Sequence, residues 1–162
     1  MTMEPRASRP YMPGYGIETS AGGMLTWSWA TERLTSSRDY WVATVDADGK
    51  PAVMPVWGAW FDEAVWFSSS HASRRARNLA RDARCTVTTS NALEPVVVEG
   101  TAVLVPGHDA AQRFADITNV KYSTDYRADF FAENALFRVT PVVAYGLAEA
   151  QFASSPTKWT FR

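Results

Sequence analysis

The sequence predicts a mainly β domain, in which antiparallel strands close into a small barrel and a few peripheral α-helices lie at its ends. Three observations predict this fold class: apolar residues alternate over several short runs, tight-turn signals separate the first runs, and few segments have helical spacing. Tight turns between consecutive strands require antiparallel pairing, which excludes a doubly wound parallel sheet. A length of 162 residues and a hydrophobic content of 46% suit a single domain with its own core.

The N-terminal segment differs in composition from the rest of the chain. Residues 1–23 contain three prolines and four glycines with little apolar periodicity, which is typical of a tail or arm that carries no folded element. We therefore expect a flexible arm over residues 1–23 and one folded domain over residues 24–162. An apolar stripe at helical spacing predicts a first helix over residues 25–36.

Three strands are predicted to follow this helix. From Tyr40 to Asp46 the apolar period changes to two, and Asp48-Gly49 marks a hairpin turn because glycine accepts the positive φ that the turn requires. A second turn is predicted at Asp62-Glu63. The two strands that follow the first cover residues 52–61 and 65–68.

The later elements alternate between helices and strands. Ser73 is expected to cap a helix over residues 73–82, and Asp109 a helix over residues 110–118. A further helical piece is predicted over about residues 125–134. The remaining apolar runs predict strands over residues 85–89, 95–105, 136–139, 142–145 and 159–161.

The segment that leads into helix 73–82 carries the strongest functional signal. Serines at 68–70 precede the helix, and Arg74, Arg75 and Arg77 lie in its first turn and a half. Cations are unfavourable at this end of a helix, which already carries partial positive charge. A bound anion would resolve the conflict, because backbone N–H groups, hydroxyls and guanidinium groups together make a phosphate site. The alternative is a solvated basic face.

Composition argues against several function classes. The net charge of −1 and the isoelectric point of about 6.1 argue against a nucleic-acid partner, since such domains carry a basic excess. Cys85 is the one cysteine and is interpreted as a small buried residue, and with only His71 and His108 as histidines we expect no metal site. No stretch is long and apolar enough for a membrane span or a signal core. We therefore expect no membrane partner and a cytoplasmic location.

The sequence contains no recognisable catalytic side chain. Ser-His-Asp and Cys-His arrangements, a convincing carboxylate pair and glycine-rich phosphate loops are all missing, so the catalytic residues stay unknown. A bound cofactor would explain this, because it would carry the chemistry itself. Pro55 in mid-strand indicates an edge or irregular position, where backbone groups are free to bond a ligand. Trp57 and Trp60 fit either such a ligand wall or the packing of the barrel core.

A series of motifs runs through most of the chain, in the order Tyr40-Trp41-Val42-Ala43-Thr44-Val45, Asp48-Gly49-Lys50-Pro51, Pro55-Val56-Trp57-Gly58, Phe67-Ser68, Ser73-Arg74-Arg75-Ala76-Arg77-Asn78-Leu79, Val97-Val98-Glu99-Gly100-Thr101 and Thr157-Lys158-Trp159-Thr160-Phe161. This series resembles the flavin/deazaflavin oxidoreductases, the superfamily of pyridoxamine 5′-phosphate oxidase-like split β-barrels. The resemblance is closest to the branch that binds the deazaflavin coenzyme F420. It covers about residues 25–162, and the run from 40 to 79 is its most specific part.

The resemblance implies a homodimer of split β-barrels, with two cofactor sites at the interface and a small-molecule substrate. The cofactor phosphate would lie on Ser73-Arg74-Arg75, with Asn78 one turn further on. The ring system would lie along a set of residues on two strands, namely Met54, Pro55, Val56, Trp57, Ser68 and Ser69. Trp159 would be contributed from the partner chain.

Two positions depart from the family pattern. Arg75 stands where many relatives have lysine, which keeps the charge but replaces a point charge by a planar fork. Ala52 stands where relatives often have histidine. If that histidine contacts substrate or cofactor, the contact is lost here, which points to a different substrate.

The resemblance implies an oxidoreductase that transfers hydride from reduced F420 to a small unsaturated organic substrate, with Tyr122 and Tyr126 as candidate proton donors. One alternative keeps the enzyme class and replaces F420 by FMN. Another is a non-catalytic protein that binds a flavin, a deazaflavin or a tetrapyrrole. Arg77, Arg81 and Arg84 favour the longer anionic tail of F420, unless they are simply solvated.

Overall fold

The computed structural model describes residues 4–162, in which eight strands and four α-helices are formed. The strands are β1 (Arg6–Ser8), β2 (Asp39–Val45), β3 (Pro51–Phe61), β4 (Ala64–Ser69), β5 (Arg84–Thr89), β6 (Val96–Leu104), β7 (Ala135–Gly146) and β8 (Thr157–Thr160). The helices are α1 (Trp27–Ser36), α2 (Arg74–Arg81), α3 (His108–Tyr122) and α4 (Ala128–Ala132), with a 3₁₀ turn at Glu149–Gln151. None of the helices in this part of the chain has the length and apolar character needed to span a bilayer.

Six antiparallel strands close into a barrel. The strand order is β1-β8-β7-β4-β3-β2-β5-β6, and a further pairing between β6 and β7 closes the ring. The long strand β7 makes this possible, because β6 runs along one of its edges while β4 and β8 share the other. The predicted fold class, mainly β with an antiparallel barrel and peripheral helices, is confirmed.

Alternating residues of the barrel strands fill its interior. The members of this core that are almost completely buried include Val42, Val65, Phe67, Val87, Val98, Val139 and Trp159. A second cluster lies outside the barrel wall, where α3 and α4 pack on β4 and β7 through Trp66, Phe114, Phe131 and Leu136. Burial of this apolar surface is the main favourable term in folding.

Within residues 24–162, the main differences between the predicted elements and the structure lie in the C-terminal half. The two strands predicted over residues 136–139 and 142–145 are one strand, β7. The register of the β6–β7 pair shifts between Glu99 and Gly100, so that Gly100 lies opposite Pro141. A Cβ at Gly100 would lie 2.4 Å from the carbonyl oxygen of Thr140 in β7. The helix predicted over 110–118 continues to Tyr122, and its N-cap is Gly107 rather than Asp109.

The N-terminal segment makes more contacts with the rest of the chain than its composition predicts. The expectation that residues 1–23 hold no folded element is wrong at β1, which pairs antiparallel with β8. The free edge of β8 offers backbone partners that a three-residue strand can use without any apolar periodicity. Arg9 then donates hydrogen bonds to four backbone carbonyls on both sides of the segment, those of Ser20, Gly22, Ser154 and Pro156. The first three residues of the predicted arm lie outside the described residues.

Candidate functional site

One edge of β3 is open beside the arginine-rich helix. β2 pairs with β3 from Pro51 to Trp57, whereas β4 pairs only with Gly58–Phe61. The first half of β3 therefore has a neighbouring strand on one side only. Pro55 lies in this half, where its missing N–H costs no ladder hydrogen bond if it faces the open edge. The edge position predicted from Pro55 is confirmed.

The start of α2 joins two serines and one arginine in a hydrogen-bonded cluster, which we call the anion cluster (Ser69, Ser73 and Arg75). Ser73 is the N-cap, as predicted, and its Oγ accepts a hydrogen bond from the Ala76 N–H at 3.0 Å. The Ser69 and Ser73 hydroxyls lie 2.8 Å apart, and Arg75 Nη1 lies 3.3 Å from Ser69 Oγ. Two hydroxyls and a planar guanidinium thus converge beside the N-terminal amides of α2.

Arg75 is a half-buried cation without an acidic partner within residues 4–162. Burial lowers the pKa of its guanidinium below the usual range. The face of Phe67 lies 5.8 Å from the guanidinium carbon, which partly compensates the charge. The binding of an anion would stabilise a desolvated cation of this kind.

The other arginines of the segment have different surroundings. Arg74 pairs with Asp46 at 3.1 Å, Arg81 donates to the Val45 carbonyl, and Arg84 pairs with Asp82 at 2.7 Å. The contacts of Arg74 and Arg81 tie α2 to the end of β2 and the turn that follows it. The charge of Arg74, at the start of α2, is therefore partly neutralised within the chain, whereas that of the half-buried Arg75 is not.

Two clefts meet at Arg75. The larger, which we call the aromatic cleft, has a volume of about 350 Å³ and is lined by Pro55, Val56, Trp57, Ser68, Ser69, Ser70, Arg75, Phe114, Thr118, Thr124, Tyr126, Phe130, Phe131 and Asn134. The smaller, which we call the edge cleft, has a volume of about 240 Å³ and is lined by Val42, Thr44, Ala52, Val53, Met54, Ser73, Arg74 and Arg75. The structure thus brings most of the predicted cofactor residues to one of two adjoining clefts. Pro55, Val56, Trp57, Ser68, Ser69 and Arg75 line the first, and Met54, Ser73, Arg74 and Arg75 line the second.

Asn78 does not belong to either cleft. Its side chain is 3% exposed and points into the protein, where Nδ2 donates to Thr44 Oγ1 at 3.0 Å. Both partners are buried, so this bond holds α2 against β2. The prediction that Asn78 contacts the cofactor phosphate is corrected to a structural role, because its buried amide is bonded to Thr44 and it lines neither cleft.

Trp159 is a core residue. It is 1% exposed, its ring lies 5.4 Å from that of Trp27, and a Cβ at Gly146 would come within 2.9 Å of it. The alternation of β8 places this position on the interior face of the barrel. The prediction that Trp159 reaches the cofactor of a partner chain is therefore corrected, since its ring is enclosed by its own chain.

The end of α3 supports the wall of the aromatic cleft, which sequence reasoning missed. The Tyr122 ring stacks on Trp57 with centroids 4.3 Å apart. Its hydroxyl accepts from the Gly58 N–H at 2.9 Å and donates to the Arg38 carbonyl. Trp57 is 46% exposed in the cleft, so of the two interpretations of this residue the structure favours a ligand wall.

Lys121 reinforces the same contact. Its Nζ donates to the Gly58 carbonyl at 2.7 Å and lies 3.4 Å from the Tyr40 hydroxyl. Burial lowers the pKa of Lys121 to about 8. Burial also raises the pKa of Tyr122, and its hydroxyl is already bonded to backbone groups. Tyr126, which lines the aromatic cleft, is therefore the better placed of the two candidate proton donors.

Comparison with known proteins identifies the family to which this barrel belongs. The family model of pyridoxamine 5′-phosphate oxidase matches residues 30–147. The chain belongs to the pyridoxamine 5′-phosphate oxidase family. Membership agrees with the superfamily that the sequence motifs resemble, and the six-stranded barrel is the split β-barrel of that family.

Solved structures with the same fold extend this comparison. A conserved hypothetical protein from Mycobacterium tuberculosis is 21% identical, with a TM-score of 0.68 over 84% of this chain and 85% of that chain. An F420 reductase is 23% identical, with a TM-score of 0.59 over 70% and 93%. An FAD-binding protein from Mesorhizobium loti is 17% identical, with a TM-score of 0.58 over 85% and 96%. At these identities the likeness shows the shared fold, and no curated protein matches the sequence.

Proposed function

We propose that this chain is a coenzyme F420-dependent oxidoreductase that transfers hydride to a small unsaturated organic substrate. The observation that carries the proposal is the anion cluster, in which the half-buried Arg75 lies where the two clefts meet. Membership of the pyridoxamine 5′-phosphate oxidase family and a fold shared with an F420 reductase and an FAD-binding protein support a deazaflavin or flavin cofactor.

The donor set of the anion cluster fits a phosphate group. Arg75 offers a planar fork of N–H donors, and Ser69 and Ser73 offer hydroxyls that rotate to suit an oxyanion. The first turn of α2 adds backbone N–H groups and a favourable dipole. These groups would hold the cofactor phosphate.

The adjoining surfaces fit a flat ring system. The open edge of β3 carries free backbone groups, and Pro55 and Trp57 present apolar surface to the aromatic cleft. A reduced deazaflavin supplies hydride chemistry when bound. The residues of the chain bind and orient the ring, exclude water from the cleft, and in Tyr126 offer a hydroxyl that can give a proton to the reduced substrate.

A basic stripe on α2 favours F420 over FMN. Arg74, Arg77 and Arg81 are exposed and lie three and four residues apart, so they share one face of the helix. The stripe is about 10 Å long at the rise of an α-helix, and it begins next to the anion cluster. The anionic tail of F420 would follow this stripe, whereas FMN, the alternative cofactor, needs only the anion cluster.

A non-catalytic tetrapyrrole protein is less well supported. Haem is usually held by a histidine, cysteine, methionine or tyrosine ligand. Among the described residues that line the two clefts, Tyr126 and Met54 are the only side chains of these four types, and neither cleft has a histidine or a cysteine.

The site is proposed to lie at the interface of a homodimer. Trp41, Val45, Val53 and Pro55 are exposed apolar residues on one face of the paired strands β2 and β3, which we call the outer barrel face. Val53 also lines the edge cleft. A second copy that covers the outer barrel face would therefore close the edge cleft and exclude water from it.

A turnover assay separates an enzyme from a cofactor carrier. The oxidation of reduced F420 would be followed with the purified protein and a panel of enones and quinones. We expect substrate-dependent oxidation that is saturable in substrate and faster than the reaction without protein. Tight binding of F420 without acceleration by any member of the panel would contradict catalysis and favour the carrier.

A further inference from the structure

We infer that Tyr126 and Phe130 form a preorganised aromatic wall that selects planar substrates of neutral or negative charge, and that Asn119 positions this wall. The inference rests on the proposed function and names the substrate class of the same cleft. Four features of the aromatic cleft carry it: the rings themselves, the bonds that hold them, the second aromatic surface and the charge of the lining.

Two half-exposed rings lie side by side in the cleft. Tyr126 is 45% and Phe130 48% exposed, and their centroids are 5.0 Å apart with the rings inclined by 29°. Phe131 packs edge-on against both rings and against the buried Phe114, so it anchors the pair to the protein. A stacked aromatic pair that keeps its free surface towards a cleft is suited to pack against a flat ligand.

Asn119 holds the loop that carries this wall. Its Oδ1 accepts hydrogen bonds from the Tyr126 N–H and the Thr124 hydroxyl, both at 2.9 Å, and its Nδ2 donates to the Tyr126 carbonyl at 2.9 Å. Asn134 likewise donates to the Phe130 carbonyl at 2.7 Å. The wall is thus formed before a ligand arrives, which lowers the entropy cost of binding.

A second aromatic surface reaches the same cleft from the barrel. Trp57 lines it from β3, and the nearly parallel stack on Tyr122, at an interplanar angle of 4°, holds the indole in place. Aromatic faces from α4 and from β3 therefore border one space. Planar conjugated ligands can use both faces, whereas a saturated ring of the same size is too thick to stack closely.

The charge of the residues that line the aromatic cleft determines which ligand charge it selects. Among the described residues that line the cleft, none is Asp or Glu, and Arg75 is the one charged side chain. The polar groups are hydroxyls and an amide, which can donate hydrogen bonds to a carbonyl or a carboxylate. The lining offers no carboxylate with which a cationic ligand could pair, so the cost of burying its charge is not compensated and its binding is disfavoured.

Matched probes test the substrate class. The dissociation constants of 2-naphthoate, (naphthalen-2-yl)methylammonium and decahydro-2-naphthoate would be measured by calorimetry, on the cofactor-free and on the F420-loaded protein. We expect 2-naphthoate to bind about tenfold or more tightly than both the cation and the saturated acid. Equal affinities, or tighter binding of the cation or of the saturated acid, would overturn the inference.

Variants test the wall and its positioning residue. Phe130→Leu and Tyr126→Leu should each weaken the binding of 2-naphthoate about three- to tenfold, as expected for the loss of one aromatic contact. Asn119→Ala should have a similar effect, and Asn119→Asp, which keeps the oxygen that accepts from Tyr126, should restore part of the affinity. Phe152→Leu removes an exposed aromatic ring outside the cleft and is the matched control. An unchanged affinity for 2-naphthoate in both wall variants would show that Tyr126 and Phe130 do not contact the ligand and would overturn the inference.

Measurements on the cofactor-free and on the F420-loaded protein distinguish a failure of the aromatic wall from a failure of the proposed function. Selectivity for 2-naphthoate that persists in the cofactor-free protein, together with no binding of F420, would contradict the proposed cofactor and support the wall. Tight binding of F420 without selectivity among the probes would support the cofactor and overturn the wall.

Discussion

At the scale of single residues, neighbouring positions of α2 have sharply different roles. Arg75 is half-buried and bonded to Ser69, whereas Arg74 is exposed and paired with Asp46 in the β2–β3 turn. Asn78, one turn on, is turned inwards. Helical geometry explains the difference, because positions 75, 78 and 79 share the face that packs on the barrel, and 74, 77 and 81 share the solvent face.

The buried bond of Asn78 leads to a prediction on stability. Asn78→Ala removes the donor to Thr44 Oγ1 and leaves a buried hydroxyl without this partner, so the free energy of unfolding should fall by about 1 to 3 kcal/mol. Urea denaturation would measure it. Ser90→Ala, at an exposed position, is the control.

The same variant separates the two roles considered for this residue. Asn78 lies outside both clefts, so the Kd of F420 should not change in the folded Asn78→Ala protein. A tenfold weaker affinity without a loss of stability would instead place Asn78 in the cofactor site.

At the scale of elements, the end of α3 holds β3 at the point where its pairing with β2 ends and its pairing with β4 begins. Gly58 follows the open edge of β3, and its N–H and carbonyl are bonded by Tyr122 and Lys121. A Cβ at this position would lie 2.5 Å from the Trp66 carbonyl oxygen, which explains the glycine. The position of Trp57 in the cleft thus depends on a helix that starts 51 residues further along the chain.

Tyr122→Phe tests this connection between helix and strand. The variant keeps the ring that stacks on Trp57 and removes the hydroxyl that bonds the Gly58 N–H, so we expect a loss of about 1 to 3 kcal/mol in the free energy of unfolding. Tyr122→Leu removes the stack as well and should in addition change the tryptophan fluorescence. Identical stabilities for the wild type and Tyr122→Phe would contradict the role of the hydroxyl.

Lys121 leads to a prediction on pH. Its pKa is lowered from 10.5 to about 8 in the folded state by burial, with Asp39 acting in the opposite direction and Arg38 in the same direction. Between these two values the unfolded chain binds more protons than the folded chain, so the contribution of Lys121 to stability increases as the pH rises. The difference in unfolding free energy between the wild type and Lys121→Met should therefore rise by roughly 1 to 3 kcal/mol between pH 7.5 and pH 10.

Denaturation at several pH values would measure this difference. Taking the difference between the two proteins removes the contribution of groups that both retain, such as Tyr40 and Tyr122. A difference that is independent of pH would contradict a lowered pKa of Lys121.

Local patterns could predict the barrel strands and the anion cluster, because both are properties of short segments. The alternation of β2 and β3, the turn at Asp48-Gly49 and the Ser73 cap are each set within a few residues. The wall of Tyr126 and Phe130 could not be predicted in this way, since it exists only when Asn119 closes its loop. The burial of Trp159 was open to prediction from the alternation of β8, but its motif position was interpreted through the resemblance instead.

At the scale of the whole molecule, the exposed apolar residues of the outer barrel face lead to a prediction on assembly. We expect the protein to be a dimer of twice the chain mass of 18.0 kDa. Trp41→Glu places a charge on the outer barrel face and should shift the mass to that of the monomer in sedimentation experiments. Val120→Glu changes an exposed apolar residue of α3 and should leave the dimer intact. A wild-type protein that sediments as a monomer would contradict the interface.

The central claim is that the anion cluster holds the phosphate of a deazaflavin, and a fluorescence titration tests it most directly. The cofactor-free protein would be titrated with F420 and with FMN, in the wild type and in Arg75→Ala, with Arg113→Ala as an exposed arginine outside both clefts. We predict saturable binding of F420, weaker binding of FMN, and a loss of about tenfold to a hundredfold in F420 affinity in Arg75→Ala alone. Unchanged affinity in Arg75→Ala, or no binding of either cofactor, would contradict the claim, and tighter binding of FMN would contradict the choice of F420.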